Sequence, residues 1–175
     1  MASSQEVRDR LQPTLLDRLT DLDPASRVEA EDTRAMTKGQ VREAVLRDLS
    51  WLLNAVKPMP ELATRYPHAD DSVINYGLPP MSGTLASRID VTVLERTIRQ
   101  AIVRFEPRVM EDSLTVKALD ASSVLDTHNV IEFEIRGLMW AQPVPLELLL
   151  RTQVDLEAGQ IQVRDASPAA VKRKP

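Results

Sequence analysis

The chain has 175 residues, 43% of them hydrophobic and 27% charged, which is the balance of one folded domain able to bury a core. Its net charge of −4 and its 3% aromatic content argue against a nucleic-acid partner, because such partners favour a basic face or a row of exposed rings. The chain has no cysteine, which excludes disulfides, thiol nucleophiles and thiolate metal sites.

The first residues are polar and lack the apolar stretch of a signal peptide. The apolar runs are only a few residues long, far short of a membrane span. We therefore expect a cytoplasmic protein with no direct membrane insertion. We also expect a flexible N-terminus at 1–10, a single domain at 11–165 and a disordered basic tail at 166–175.

Two helices are predicted in the first third of the chain. Leucines recur at helical spacing between Leu11 and Leu19, with Pro13 in the first turn, and residues 21–36 then read as a charged linker. A second helix should begin at Thr37, which forms a capping-box pattern with Gln40. Its predicted apolar stripe consists of Val41, Ala44, Val45, Leu49, Leu52 and Leu53. Asp48 falls on the margin of that stripe, where the alternatives are a buried partner or functional contact and a solvated edge position, and the pattern favours the solvated edge.

Five prolines in residues 57–88 exclude long regular elements there, although Asp71 or Ser72 could cap one turn that ends at Gly77. A third helix is predicted from the N-cap Asp90 to the helix-stopping Pro107. Its predicted buried face consists of Leu94, Ile98, Ala101, Ile102 and Phe105.

After the third helix, apolar residues recur at every second position, which is the pattern of a β-strand. Strands are predicted at 114–118, at 131–136 and at about 146–156, and a hairpin should join the last of these to a strand at 161–163. The apolar positions Leu138 and Trp140 are out of phase with 131–135, so a bulge at Gly137 is predicted. Helices followed by an antiparallel meander favour an α+β fold, with the N-terminal helices packed on one face of a small antiparallel sheet formed by the C-terminal half.

Glu106 and Arg108 flank Pro107 at the joint between the two halves. If residues 106–108 were extended, both charged side chains would point to the same side. The pair is then either a local surface ion pair or an element that docks into a partner, and the residues alone leave both open.

Catalytic and metal-binding patterns are weak. Glu106, Glu111 and Asp112 are the one tight acidic group near this joint, but their spacing specifies no reaction. His68 and His128 lie 60 positions apart, and no glycine-rich phosphate loop is present. We therefore predict no catalytic residue, no metal site and no cofactor. An unpaired edge of the sheet offers a different possibility, a strand added by another chain.

Phe105-Glu106-Pro107-Arg108-Val109 resembles the Glu-Pro-Arg signature of TssE, the type VI secretion baseplate wedge protein, within the phage-tail wedge family historically called lysozyme-like. Four further stretches agree in order and spacing, at 15–19, 45–54, 73–79 and 131–135. Pro80 departs from the pattern, because an acidic residue is expected there. The resemblance covers about residues 12–164.

The resemblance implies a non-enzymatic part of the contractile machine at the cytoplasmic face of the inner membrane. TssE-like proteins join TssF and TssG in the wedge, alongside TssK, and offer a sheet on which TssB/TssC sheath subunits begin to polymerise. Glu106, Pro107 and Arg108 would be the partner-binding residues. The alternatives are the same part of a phage tail or other contractile injection particle, and a peptidoglycan-cleaving lysozyme-like enzyme.

Overall fold

Along the described chain, the helices all precede the strands. The computed structural model describes residues 13–20, 24–25, 36–58, 65–70, 72–81, 90–119, 130–141 and 144–167. The helices are α1 (Leu15–Leu19), α2 (Lys38–Asn54), α3 (Pro67–Asp70) and α4 (Val91–Phe105), and short 3₁₀ turns lie at Val73–Asn75 and Glu111–Ser113. The strands are β1 (Thr115–Ala118), β2 (Val130–Met139), β3 (Leu146–Asp155) and β4 (Gln160–Asp165). This order confirms the predicted α+β class.

The two long helices begin at the predicted caps. The Gln40 N–H donates to the Thr37 hydroxyl, and the Thr37 N–H donates to the Gln40 side chain, which closes the capping box. At the start of α4 the Asp90 carboxylate accepts hydrogen bonds from two backbone N–H groups. Both predicted faces are buried: Val41, Ala44, Val45, Leu49, Leu52 and Leu53 in α2, and Leu94, Ile98, Ala101 and Ile102 in α4, with Phe105 half-buried.

The four described strands form one antiparallel sheet in the order β1-β2-β3-β4. Along β2 the apolar residues Ile131, Phe133 and Ile135 are fully buried, and the intervening positions face away from the core. Helix α2 packs against β4 and helix α4 against β1, and both contribute to one core with the inward residues of the strands. Both helices therefore cover the same face of the sheet.

The predicted bulge at Gly137 is wrong. Strand β2 pairs with β3 in unbroken register from Val130 to Met139. Counting by two from Ile135 reaches Met139, which is fully buried, whereas Trp140 is 59% exposed. The sequence pattern misled because it took Trp140, rather than Met139, as the residue that returns to the core.

Residues 72–81 fold back onto the end of α2. Ser72 caps the 3₁₀ turn as predicted, and Gly77 then adopts a φ of 118°, where a Cβ atom would lie 2.3 Å from the Ala55 carbonyl oxygen. Backbone hydrogen bonds join Leu78 to Ala55 and Lys57. The fold-back places Tyr76 in edge-to-face contact with Phe105, with ring centroids 5.2 Å apart.

The ends of the chain are described in part. Helix α1 begins after its N-cap Thr14, so Pro13 precedes the helix and does not occupy its first turn as predicted. At the other end, the Ala166 N–H donates to the Leu149 carbonyl and Ser167 is buried. The rest of the predicted tail, the predicted flexible N-terminus at 1–10, most of the linker at 21–36 and His128 lie outside the described residues.

Candidate docking site

Helix α4 ends in a tight turn that carries the Glu-Pro-Arg motif. The Glu106 N–H makes the last helical hydrogen bond, to the Ile102 carbonyl at 2.8 Å, and Pro107 has no N–H with which to continue the helix. The Val109 N–H then donates to the Glu106 carbonyl at 3.1 Å, which closes a β-turn. The segment is therefore a turn and not the extended segment considered from the sequence, although Glu106 and Arg108 still meet.

Glu106 and Arg108 form a bidentate ion pair. Arg108 Nε donates to Glu106 Oε1 at 2.6 Å, and Arg108 Nη2 donates to Oε2 at 2.5 Å. The Arg108 N–H adds a third, backbone bond to Oε1 at 3.2 Å. Only 3% of Glu106 is exposed, so its carboxylate bonds within its own chain.

Asp48 of α2 extends this pair. Arg108 Nη2 also donates to Asp48 Oδ2 at 2.5 Å, and Arg47 Nε donates to Asp48 Oδ1 at 2.9 Å. The predicted solvated edge position for Asp48 is wrong, because the carboxylate lies between two guanidinium groups. Sequence reasoning missed this contact since Asp48 and Arg108 are 60 positions apart; the one available signal was an acidic residue on the margin of an apolar stripe.

Arg47 also bonds to helix α1. Its Nη1 donates to Asp17 Oδ1 at 2.6 Å, and Asp17 accepts a further bond from the Thr14 hydroxyl at 2.6 Å. Asp17, Arg47, Asp48, Arg108 and Glu106 thus form a continuous series of ion pairs, which we call the charge chain. It connects α1, α2 and the turn after α4.

Two members of the charge chain, Asp17 and Arg108, have pKa values shifted towards their charged forms. Burial raises the pKa of Asp17, but hydrogen bonds from Arg47 and Thr14 outweigh burial and hold that pKa below its ordinary value. Burial lowers the pKa of Arg108, whereas the hydrogen bond and negative charge of Glu106, followed by those of Asp48, raise it overall. These two groups therefore serve as fixed charges near neutral pH and not as proton donors or acceptors.

A groove of about 310 Å³ lies over the charge chain. Its lining is Thr14, Asp48, Trp51, Tyr76, Phe105, Glu106, Pro107 and Arg108. Trp51 is 53% exposed and lies 5.2 Å from the Arg47 guanidinium, which stacks over its ring. Pro107 is also exposed. The groove thus offers apolar walls beside ordered charges, a combination typical of protein-docking sites.

The other sequence candidates do not assemble into a site. Glu111 faces Arg99 at 3.8 Å and Asp112 is exposed, whereas Glu106 is buried against Arg108, so the three acids do not act together. His68 is exposed in α3. Among the described residues, no group of three or more His, Asp or Glu side chains could hold a metal ion. None of the helices in the described ranges is long and apolar enough to cross a membrane.

Comparison with known proteins gives one match. The model of a family described as baseplate wedge protein gp25 matches residues 39–144, which is more than half of the chain. The matched region runs from the first turn of α2 through the Glu-Pro-Arg turn to the segment before β3, so it includes Asp48, Glu106 and Arg108. No curated protein and no solved structure matches the chain.

Proposed function

The chain belongs to the baseplate wedge protein gp25 family, and from that membership we propose that it is the TssE-type wedge component of a type VI secretion baseplate. In this role it joins TssF and TssG beside TssK and offers its sheet as the surface on which TssB/TssC sheath subunits start to polymerise. It acts at the cytoplasmic face of the inner membrane, without catalysis and without a cofactor.

The charge chain is the observation that supports this proposal. It fixes the turn after α4 against α2 and joins α2 to α1, and the adjacent groove leaves Trp51 and Pro107 accessible. A docking surface gains affinity when its residues are ordered before the partner arrives, because less conformational entropy is lost on binding. Glu106 positions Arg108, while Pro107 and the exposed quarter of the Arg108 side chain meet the partner.

Catalysis by the motif residues is disfavoured by their contacts. Both Glu106 oxygens accept hydrogen bonds from Arg108, so this carboxylate is engaged within its own chain and is not presented to a substrate. A glycosidase needs carboxyl groups that face the sugar and act on it directly. A turbidity assay on purified cell wall tests the lysozyme-like alternative, which requires measurable lysis.

Copurification with TssF and TssG tests the proposal. We expect Trp51→Asp to abolish capture, because it places a charge in the apolar wall of the groove. Trp140→Asp is the matched control, since Trp140 is 59% exposed and does not line the groove. Failure of the wild-type chain to capture TssF or TssG would contradict the type VI assignment and favour a phage tail or another contractile particle.

A further inference from the structure

One face of the sheet is open. Helices α2 and α4 pack on the core face, whereas every outward side chain of the four strands is exposed or half-buried. The strand register sets the side chains of neighbouring strands beside one another on this open face. Its charged residues are Lys117, Glu132, Glu134, Arg136, Glu147, Arg151, Asp155 and Arg164. Positive and negative side chains occupy different parts of the face.

Three basic side chains lie in one line across the strands. Lys117 of β1 is the register partner of Glu134 of β2. Glu134 is in turn opposite Arg151 of β3, which is opposite Arg164 of β4. We call Lys117, Arg151 and Arg164 the basic row, and all three are exposed. Because neighbouring strands are about 4.8 Å apart, the row spans about 14 Å, the full width of the sheet.

The basic row has no counter-charge of its own. Arg136 Nε donates to Glu134 Oε1 at 2.6 Å, and this hydrogen bond, with the charges of Arg136 and Arg151, lowers the pKa of Glu134. Within the part of the chain that the structure describes, the basic row forms no ion pair. Arg151 instead lies directly opposite Arg164. Like charges in that position are unfavourable, so a carboxylate from another molecule would stabilise them.

Acidic side chains lie on both sides of the basic row. Glu132 and Asp155 lie beyond one side and Glu147 beyond the other. Glu132 is two residues from Glu134, which is about 7 Å along the strand. A nucleic-acid duplex or an anionic membrane carries negative charge over a wide area and would meet these acids as well as the row. A narrow acidic element of a protein can meet the row alone.

The spacing of the row matches a helix better than a strand. Residues four apart on a helix have Cβ atoms about 5–6 Å apart, close to the strand separation of about 4.8 Å. Residues two apart on a strand, which share a face, are about 6.7 Å apart. Half-buried Leu149 lies two residues from Arg151, and half-buried Leu138 is its diagonal neighbour. These two leucines would contact an apolar residue beside the carboxylates of such a helix.

We propose that the basic row binds an acidic helix of a partner protein. Two carboxylates one helical turn apart pair with Arg151 and Arg164, and a third, two turns further along, pairs with Lys117. The position opposite Glu134 is uncharged, because a carboxylate there would be repelled. The row lies on the opposite side of the sheet from α2 and α4, so it is a separate surface from the groove. Neither the row nor its spacing depends on the proposed function.

A helical peptide is the probe, because a helix cannot add to the edge of a sheet. The peptide is alanine-based and carries three glutamates at the spacing just described, and its control carries lysines at the same positions. In nuclear magnetic resonance spectra of the wild-type chain, the Glu peptide should shift the side-chain N–H signals of Arg151 and Arg164. The signal of Arg96, an exposed arginine of α4, should not move. Shifts at Arg96 alone, or equal binding of the two peptides, would overturn the inference.

Neutral variants locate the binding. Arg151→Gln and Arg164→Gln should each weaken binding of the Glu peptide about fivefold, as expected for the loss of one exposed ion pair. Arg96→Gln is the matched control and should leave binding unchanged. Circular dichroism selects the variants that keep the wild-type fold. Equal weakening in all three would show a general attraction to positive charge and would contradict a specific row.

A charge reversal and two competing ligands complete the test. Arg151→Glu combined with Arg164→Glu should transfer the preference from the Glu peptide to the Lys peptide, and an unchanged preference would contradict the proposed contacts. Tighter binding of a DNA duplex, or of vesicles that contain phosphatidylserine, than of the Glu peptide at equal salt would overturn the choice of an acidic helix. All these measurements use the isolated chain, so failed capture of TssF or TssG concerns the proposed function alone.

Discussion

Glu106 is a buried carboxylate whose hydrogen bonds come from a neighbour two positions along the chain. Its two oxygens accept three hydrogen bonds from Arg108, which fixes the guanidinium so that Nη2 also reaches Asp48. A bidentate arginine pair is directional as well as strong. The motif therefore requires glutamate and arginine together, and a lysine would not reproduce the arrangement.

Replacing Glu106 by glutamine tests this dependence. Glu106→Gln keeps the side-chain volume but leaves Arg108 without its main counter-charge in a largely buried position. We expect the free energy of unfolding to fall by about 3 kcal/mol, the lower end for a broken buried pair because a quarter of the Arg108 side chain is exposed. Urea denaturation followed by circular dichroism measures the change.

The matched control is Glu111→Gln. Glu111 also faces an arginine, but its side chain is 63% exposed and lies 3.8 Å from Arg99, so the loss should be no more than about 0.5 kcal/mol. Equal losses in the two variants would show that Glu106 is an ordinary surface charge.

The sequence predicts Glu106 and Arg108 as a pair but not the rest of the charge chain. The two residues are neighbours across a turn, so any tight geometry brings them together. Arg47 pairs with Asp17, 30 positions away, and Asp48 pairs with Arg108, 60 positions away. A single sequence contains no local pattern that indicates such distant pairs. Long-range ion pairs depend on how helices pack, and periodicity does not report that packing.

At the scale of elements, helix faces were the best predicted feature. All six predicted core residues of α2 are buried, because a 3.6-residue period specifies one face without reference to the rest of the fold. The same spacing in α1 predicts a helix correctly, yet that helix buries none of its residues, and Leu15 and Leu19 are 71% and 74% exposed. Periodicity identifies an apolar face but not what covers it.

Helix α1 is attached through charge, because it contributes no buried residue to the core. The Asp17–Arg47 ion pair should therefore decide whether α1 stays on α2. The folded-state pKa of Asp17 is depressed, so the stabilising contribution is fully present above the ordinary value of about 3.8 and is lost as the pH falls through the lower folded-state value.

Hydrogen exchange at the Arg18 amide, which donates to the Thr14 carbonyl, reports this attachment. We expect protection that is constant down to about pH 4 and lost below it, after correction for intrinsic exchange. Asp17→Asn should lack the protection at every pH. Protection that persists in Asp17→Asn would show that α1 is held by something other than the ion pair.

At the scale of the whole molecule, helix α2 connects the groove to the sheet. The groove lies at the junction of α1, α2 and the turn after α4. Arg47 and Asp48 of α2 pair with Asp17 and Arg108 at that junction, and Asn54 at the end of the same helix hydrogen-bonds to Ile161 of β4. This geometry suits a protein that connects neighbours within an assembly.

Photo-crosslinking from position 107 tests most directly whether the Glu-Pro-Arg turn is a docking element. A photoreactive amino acid replaces Pro107, which is exposed and takes no part in the ion pairs. In a control chain the same amino acid replaces Trp140, which is also exposed. In cells with an assembled baseplate, we expect position 107 to yield adducts with TssF or TssG and position 140 to yield none. Adducts from position 140 alone, or no adduct from position 107, would contradict the account.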